Sequence, residues 1–173
     1  MNYYLLSQII VIVATIFIAF TYFIKNRKKI LILFILYSIF YGIHFLLLNA
    51  TTGFLMNLVS IIRNIIFYKQ EINNKQNSKI FLVVLFSIII LFTLCSYKDY
   101  YSLISMSASL ISTYSIWQKN PIIYRILAVI VSICFIIYAI HINSVFAIIT
   151  EVFLLTTEII GLILLKIQKD RQK

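Results

Sequence analysis

Residues 4–53 read YLLSQIIVIVATIFIAFTYFIKNRKKILILFILYSIFYGIHFLLLNATTG. Two apolar runs, Tyr4–Ile24 and Ile30–Leu48, flank the basic cluster KNRKK, and the second ends in an uncharged turn, NATTG. Each run is long enough to cross a bilayer core, which takes roughly 17–25 helical residues. In hydrocarbon no backbone N–H or C=O can stay unpaired, and runs this long and unbroken predict helices rather than barrel strands. The stretch therefore reads as a membrane hairpin with one cationic end and one neutral end.

The pattern continues down the chain. Further apolar runs cover Phe54–Tyr68, Ile80–Ser96, Tyr101–Trp117, Ile122–Ile140 and Val145–Leu165, so seven helices are expected. The connections alternate in charge. Lys25, Arg27, Lys28 and Lys29 fill the first, and NATTG is neutral. Lys69, Lys75 and Lys79 outweigh Glu71 in the third, and Lys98 cancels Asp99 in the fourth. Lys119 and Arg125 mark the fifth, HINS is uncharged, and the tail carries Lys166, Lys169, Arg171 and Lys173 against Asp170. By the positive-inside rule the N-terminus lies outside and the C-terminus in the cytoplasm. An even number of helices would break the alternation.

Composition agrees. The chain has 173 residues, 62% of them hydrophobic and 12% charged, where a soluble domain carries about 25% charged residues. The formal charge is +10, but its cations sit in short clusters between apolar runs, which points to a lipid bilayer as partner and away from nucleic acid. Cys95 and Cys134 fall in apolar runs and read as small helix-filling residues. The N-terminal run has no cation before it and no small-residue cleavage site after it, so it reads as a retained helix. No Gly-rich phosphate loop or nucleophile motif is present, so no enzyme and no cofactor are expected. His44 and His141 lie toward the outer side and read as structural, without metal spacing to an acid or cysteine.

Residues 14–26, ATIFIAFTYFIKN, align without a gap on residues 108–120, ASLISTYSIWQKN, at a shift of 94 (108 − 14). The polar and aromatic matches carry the weight, because apolar matches are nearly free in such a composition. The same shift places Ser38 on Ser132 and Asn49 on Asn143. Two parallel three-helix units are expected, residues 1–70 and 101–166, joined by a linker helix over 80–96.

The shift also places Asn57 on Glu151 and Asn64 on Glu158. Within each helix the two residues are about two turns apart and share a face. A carboxylate near the bilayer centre costs about 2.5–3.5 kcal/mol on insertion scales, so such residues face the bundle interior or water. Asn57, Asn64, Glu151 and Glu158 are thus the candidate solute-binding residues. Arg63 either snorkels to the cytoplasmic surface or forms an ion pair with Glu158. The amides of Asn57 and Asn64 have a second reading as glue between helices. In the fifth helix Ser105 and Ser109 suggest close packing, with a hydroxyl-lined cavity as the alternative. Tyr3, Tyr4, Tyr68, Tyr100 and Tyr101 read as interfacial belts.

The run from Ile43 to Lys69, IHFLLLNATTGFLMNLVSIIRNIIFYK, resembles the bacterial inner-membrane proteins of the YgjV family, with a histidine, a short turn ending in Gly, an Asn, an Arg-Asn pair and an aromatic end. Trp117, Arg125, Tyr138 and Glu151 fit the same family in the second half. The resemblance implies a fold rather than an activity. The three-one-three arrangement is similar to the SWEET sugar facilitators and the PnuC vitamin transporters, and SWEETs place a polar pair on their third and seventh helices. The chain departs from SWEETs in having Pro121 alone, at a helix start, where they use helix prolines as hinges.

Two functions follow. One is a facilitator or carrier for a small polar solute, its carboxylates suggesting a cationic or polar substrate or proton coupling through Glu158. The other is a non-transporting sensor or assembly protein whose polar residues only hold the bundle together. A second copy of the chain is a candidate partner in either case.

Overall fold

The computed structural model describes residues 3–24, 26–74 and 78–171, with the side chains beyond Ile167 left aside. Lys25, Lys75 and Lys173, counted above among the basic connections, lie outside these residues, as do the side chains of Lys169, Asp170 and Arg171. The described residues form seven α-helices: α1 (Tyr3–Phe20, extended by a 3-10 turn over Thr21–Phe23), α2 (Arg27–Leu47), α3 (Thr51–Ile72), α4 (Lys79–Cys95), α5 (Tyr100–Trp117), α6 (Pro121–His141) and α7 (Val145–Arg171). Five of them (α1 with its 3-10 turn, α2, α3, α6 and α7) are long and apolar enough to span a membrane. Helix α4 is apolar but 17 residues long, and α5 is diluted by its Ser and Thr side chains.

Capping moves the helix starts ahead of the apolar runs, by three residues at α2, which begins at Arg27 rather than at the expected Ile30, and by one at α6. Asn26 caps α2 by accepting from the Lys28 and Lys29 amides, and Asn120 caps α6 by accepting from the Ile122 and Ile123 amides. Both helices are followed, two residues past their last turn, by an asparagine with positive φ, Asn49 at 55° and Asn143 at 54°. Asparagine is among the few residues that tolerate this left-handed backbone. Helix α3 runs past the apolar stretch at both ends, where Thr52 and Gly53 at its start and Gln70 at its finish are buried although hydropathy is low. Helix α7 likewise continues beyond Leu165 into its basic end.

Packing places α1 against α2 and α7, α2 against α3, α3 against α5, α5 against α6, and α6 against α7. Six helices thus follow one another in a closed ring, and α4 packs only on α3 and α5. Large apolar side chains such as Ile9, Ile16, Val83, Leu94, Ile130 and Ile160 face outward, as lipid requires. Polar side chains turn inward: Asn64 is wholly buried and Glu151 and Glu158 nearly so.

Contacts at the two ends sort the connections as the charge pattern does. Glu71, at the end of α3, lies 3.3 Å from Arg27 Nε and 3.0 Å from Lys119 Nζ, tying three connections together at the basic end. At the opposite end Lys98 Nζ donates to the Asn49 carbonyl (2.9 Å), His141 lies 2.8 Å from Asp99, and the Tyr4 hydroxyl donates to the Asn143 carbonyl (3.3 Å).

Candidate functional site

The inward faces of α1 with its 3-10 turn, α2, α3, α5, α6 and α7 surround a cavity of about 120 Å³, room for several waters. Asn57, Arg63, Asn64, Glu151 and Glu158 all line it. The sequence-predicted site residues therefore share one chamber, although their bonding differs from what spacing suggests.

On α3, Asn57 Nδ2 donates back to the Gly53 carbonyl at 2.9 Å, a local bond within its own helix. Arg63 is buried and donates from Nε to Asn64 Oδ1 (3.2 Å) and from Nη1 to Ser112 Oγ (3.1 Å) and Thr113 Oγ1 (3.3 Å). It neither snorkels to the surface nor pairs with Glu158, because α5 stands beside α3 in the ring and supplies hydroxyl acceptors first.

On α7, Glu158 accepts from Arg125 Nη1 at 2.9 Å and from the Tyr22 hydroxyl at 3.2 Å. The ion pair crosses from α6 to α7, neighbours in the ring. Gly161 makes the crossing possible: a Cβ there would sit 2.0 Å from Arg125 Nη1 and 2.3 Å from its Cζ. Glu151 accepts from Tyr41 at 3.0 Å and from Tyr37 at 3.5 Å, and the two tyrosine rings stack with centroids 4.9 Å apart.

Several residues of the chamber escaped the sequence reading. Tyr22, Tyr37, Tyr41 and Tyr124 line it, and none of them is among the residues that the sequence singles out. Tyr37 and Tyr41, one turn apart in the middle of an apolar run, carried a usable signal. Ser38 and Ser132, matched by the 94-residue shift, both line the chamber. Both readings of α5 apply: Ser105 is fully buried in packing, and Ser109, Ser112 and Ser115 line the cavity.

The two ends of the chamber are unlike. Toward the neutral end, Tyr41, Phe45, Tyr138, Ala139 and Ala147 form a buried apolar layer, with the Tyr138 hydroxyl accepting from the Gly53 amide (3.1 Å). Above it, His44 Nδ1 lies 2.9 Å from the Ser7 carbonyl and Nε2 lies 3.1 Å from Ser144 Oγ, while the Gln8 side chain reaches the same serine and the Phe146 amide. Both ring nitrogens of His44 are thus engaged within the protein. Toward the basic end a second cavity of about 400 Å³ shares Tyr22, Phe34, Ser115, Ile116, Tyr124 and Glu158 with the chamber, and is also lined by Arg27, Lys119 and Arg125. No group of three or more His, Cys, Asp or Glu placed to hold a metal occurs among the described residues.

A ring of helices with apolar faces outward and a polar chamber within defines a multi-pass α-helical membrane protein. The chain belongs to the Imp-YgjV family of bacterial inner membrane proteins, whose family model matches residues 5–169. No curated protein and no solved structure matches it.

Proposed function

We propose that the protein is a carrier or facilitator for a small polar solute, with the central chamber as its binding site and Asn57, Asn64, Glu151, Glu158 and Arg63 as the residues facing the solute. One observation carries this reading: polar side chains from both halves of the chain line a single cavity that shares a wall with a larger, basic vestibule. In this reading all seven helices cross the membrane, with the N-terminus outside and the C-terminus in the cytoplasm. The basic vestibule then faces the cytoplasm, and the His44–Ser144–Gln8 layer seals the outer side. The two halves act as parallel repeats, a reading supported by the caps at Asn26 and Asn120 and the left-handed turns at Asn49 and Asn143, each pair 94 apart (120 − 26; 143 − 49). Proline-hinged rocking is not available, so the 3-10 turn at Thr21–Phe23, next to Tyr22 of the chamber, is the proposed point of adjustment.

A competing reading, a non-transporting sensor or assembly protein, draws on the internal satisfaction of both carboxylates: Glu158 by Arg125 and Tyr22, and Glu151 by Tyr41. Cysteine accessibility separates the two. Single cysteines at Asn57, Asn64, Glu151 and Glu158, in a background lacking Cys95 and Cys134, are treated with a membrane-impermeant thiol reagent from each side of oriented vesicles. The carrier reading expects labelling from the cytoplasmic side and protection from the outer side. Absence of labelling from either side in correctly inserted protein removes the carrier reading and leaves a structural polar layer.

A further inference from the structure

We propose that Arg63 and Asn64 form an anion subsite on the α3–α5 wall of the chamber, shaped to take the carboxylate of a small organic acid. The assignment rests on the chamber being a solute site, and it gives that solute a charge.

The argument begins with a charge left over. Among the described side chains, Glu71 is shared by Arg27 and Lys119, Glu158 is paired with Arg125, and Asp99 with His141. The remaining described acid, Glu151, accepts from tyrosine hydroxyls on α2. Arg63, 5% exposed, is bonded only to an amide and two hydroxyls. A buried guanidinium with neutral partners is solvated but not neutralised, and a buried charge without a counter-charge is expensive. A carboxylate entering the cavity that Arg63 lines would supply the missing charge, and the guanidinium fork suits carboxylate geometry.

Two more donors stand beside it. Arginine has no acceptor, so the bond from Arg63 Nε fixes the Asn64 amide with Oδ1 toward the guanidinium. The other end of that amide, Nδ2, is buried and has no hydrogen-bond partner. Native structures rarely leave a buried donor unpaired, and such a group calls for a ligand or water. Ser112, which accepts from Arg63, keeps its own hydroxyl proton available. Cation, amide donor and hydroxyl donor together present donors to an oxyanion, a set that a cation would avoid.

The path to the subsite has the same sign. Arg27, Lys119 and Arg125 line the vestibule, against Glu158 there and Glu71 beside it. A cleft lined by excess positive charge concentrates anions at its mouth. The carboxylates that suggested a cationic solute are both engaged by the protein's own hydroxyl and guanidinium donors. A chamber of about 120 Å³, room for several waters, accommodates a guest the size of a short-chain carboxylate.

The test uses purified full-length protein in detergent and in liposomes. Thermal unfolding is followed with potassium acetate, lactate or succinate against potassium chloride at equal ionic strength, with glycerol as the neutral control. A saturable carboxylate-specific rise in melting temperature is expected for the wild-type protein. Arg63→Gln should weaken the apparent affinity roughly 30-fold. Asn64→Asp gives a second arm that does not depend on a damaged fold, because an aspartate there would neutralise Arg63 from within. That variant should melt at or above the wild-type temperature and lose the carboxylate response. A response absent from the wild-type protein, equal for chloride, or retained in Asn64→Asp overturns the subsite. Liposome flux distinguishes this from failure of the carrier reading: carboxylate binding without flux leaves the subsite standing and removes the carrier. Flux of glycerol that is indifferent to carboxylates does the reverse.

Discussion

Helices α3 and α7 present polar residues at matching steps, yet they solve the problem of polarity in lipid differently. Helix α7 carries full acids and meets each with a donor from another helix, Arg125 of adjacent α6 for Glu158 and Tyr41 of α2, two places away in the ring, for Glu151. Helix α3 carries amides at the equivalent positions and keeps its buried cation, Arg63, among neutral groups. One wall of the chamber is closed electrostatically and the other is left open. The difference teaches that a shared polar periodicity fixes where polarity lies, while the neighbouring helix decides whether it is spent or available.

The largest effect should come from breaking the closed wall. Arg125→Met should destabilise the protein by about 3 kcal/mol, since it leaves Glu158 buried with the Tyr22 hydroxyl alone. Adding Glu158→Gln should recover much of that loss, because the uncompensated charge goes with it. Denaturant unfolding of both single variants and the double measures this directly. Losses that simply add would show that the two groups act independently and would undo the contrast with α3.

Gly161→Ala sharpens the same point. Its methyl group would displace the Arg125 guanidinium, which is flexible enough to move, so about 1–2 kcal/mol is expected from a weakened pair. In an Arg125→Met background the substitution should cost almost nothing. A full cost in that background would mean that Gly161 matters for helix packing rather than for the ion pair.

Smaller again is the Glu151 cluster. Tyr41→Phe removes a 3.0 Å hydrogen bond and should cost about 1 kcal/mol, whereas Tyr37→Phe, at 3.5 Å, should cost a few tenths of that. The ranking, read from melting temperatures, is the prediction, and its reversal would show that Tyr37 is the true partner. Where the two halves are alike they should respond alike: Asn26→Ala and Asn120→Ala each remove a paired N-cap and should each cost about 1 kcal/mol. Losses differing by more than a factor of two to three would argue that the caps are equivalent in geometry only.

Much of this was legible in the chain itself. Phe54–Tyr68 and Val145–Leu165 were visible as apolar runs, and the polar steps at Asn57, Asn64, Glu151 and Glu158 were visible within or between them. All four residues line the chamber. The ion-pair partner was not legible. Arg63 and Arg125 are both a plausible reach from Glu158 when helices are drawn as isolated cylinders. Nor were Tyr22, Tyr37 and Tyr41 distinguishable by type from tyrosines at a lipid interface.

Hydrocarbon imposes constraints that act residue by residue along one dimension, and those the sequence determined by itself. Backbone satisfaction requires helices over long apolar runs, basic clusters sort the ends, and the cost of an exposed acid turns Glu151 and Glu158 inward. The pairing of those acids depends on helix order and rotation, which only the tertiary structure decided. With α6 beside α7 and no side chain at Gly161, Arg125 reaches Glu158. With α5 beside α3, Arg63 meets hydroxyls instead. A hydrogen bond forms only within about 3.5 Å, so which helix stands next determines which charge is neutralised and which is left to a ligand.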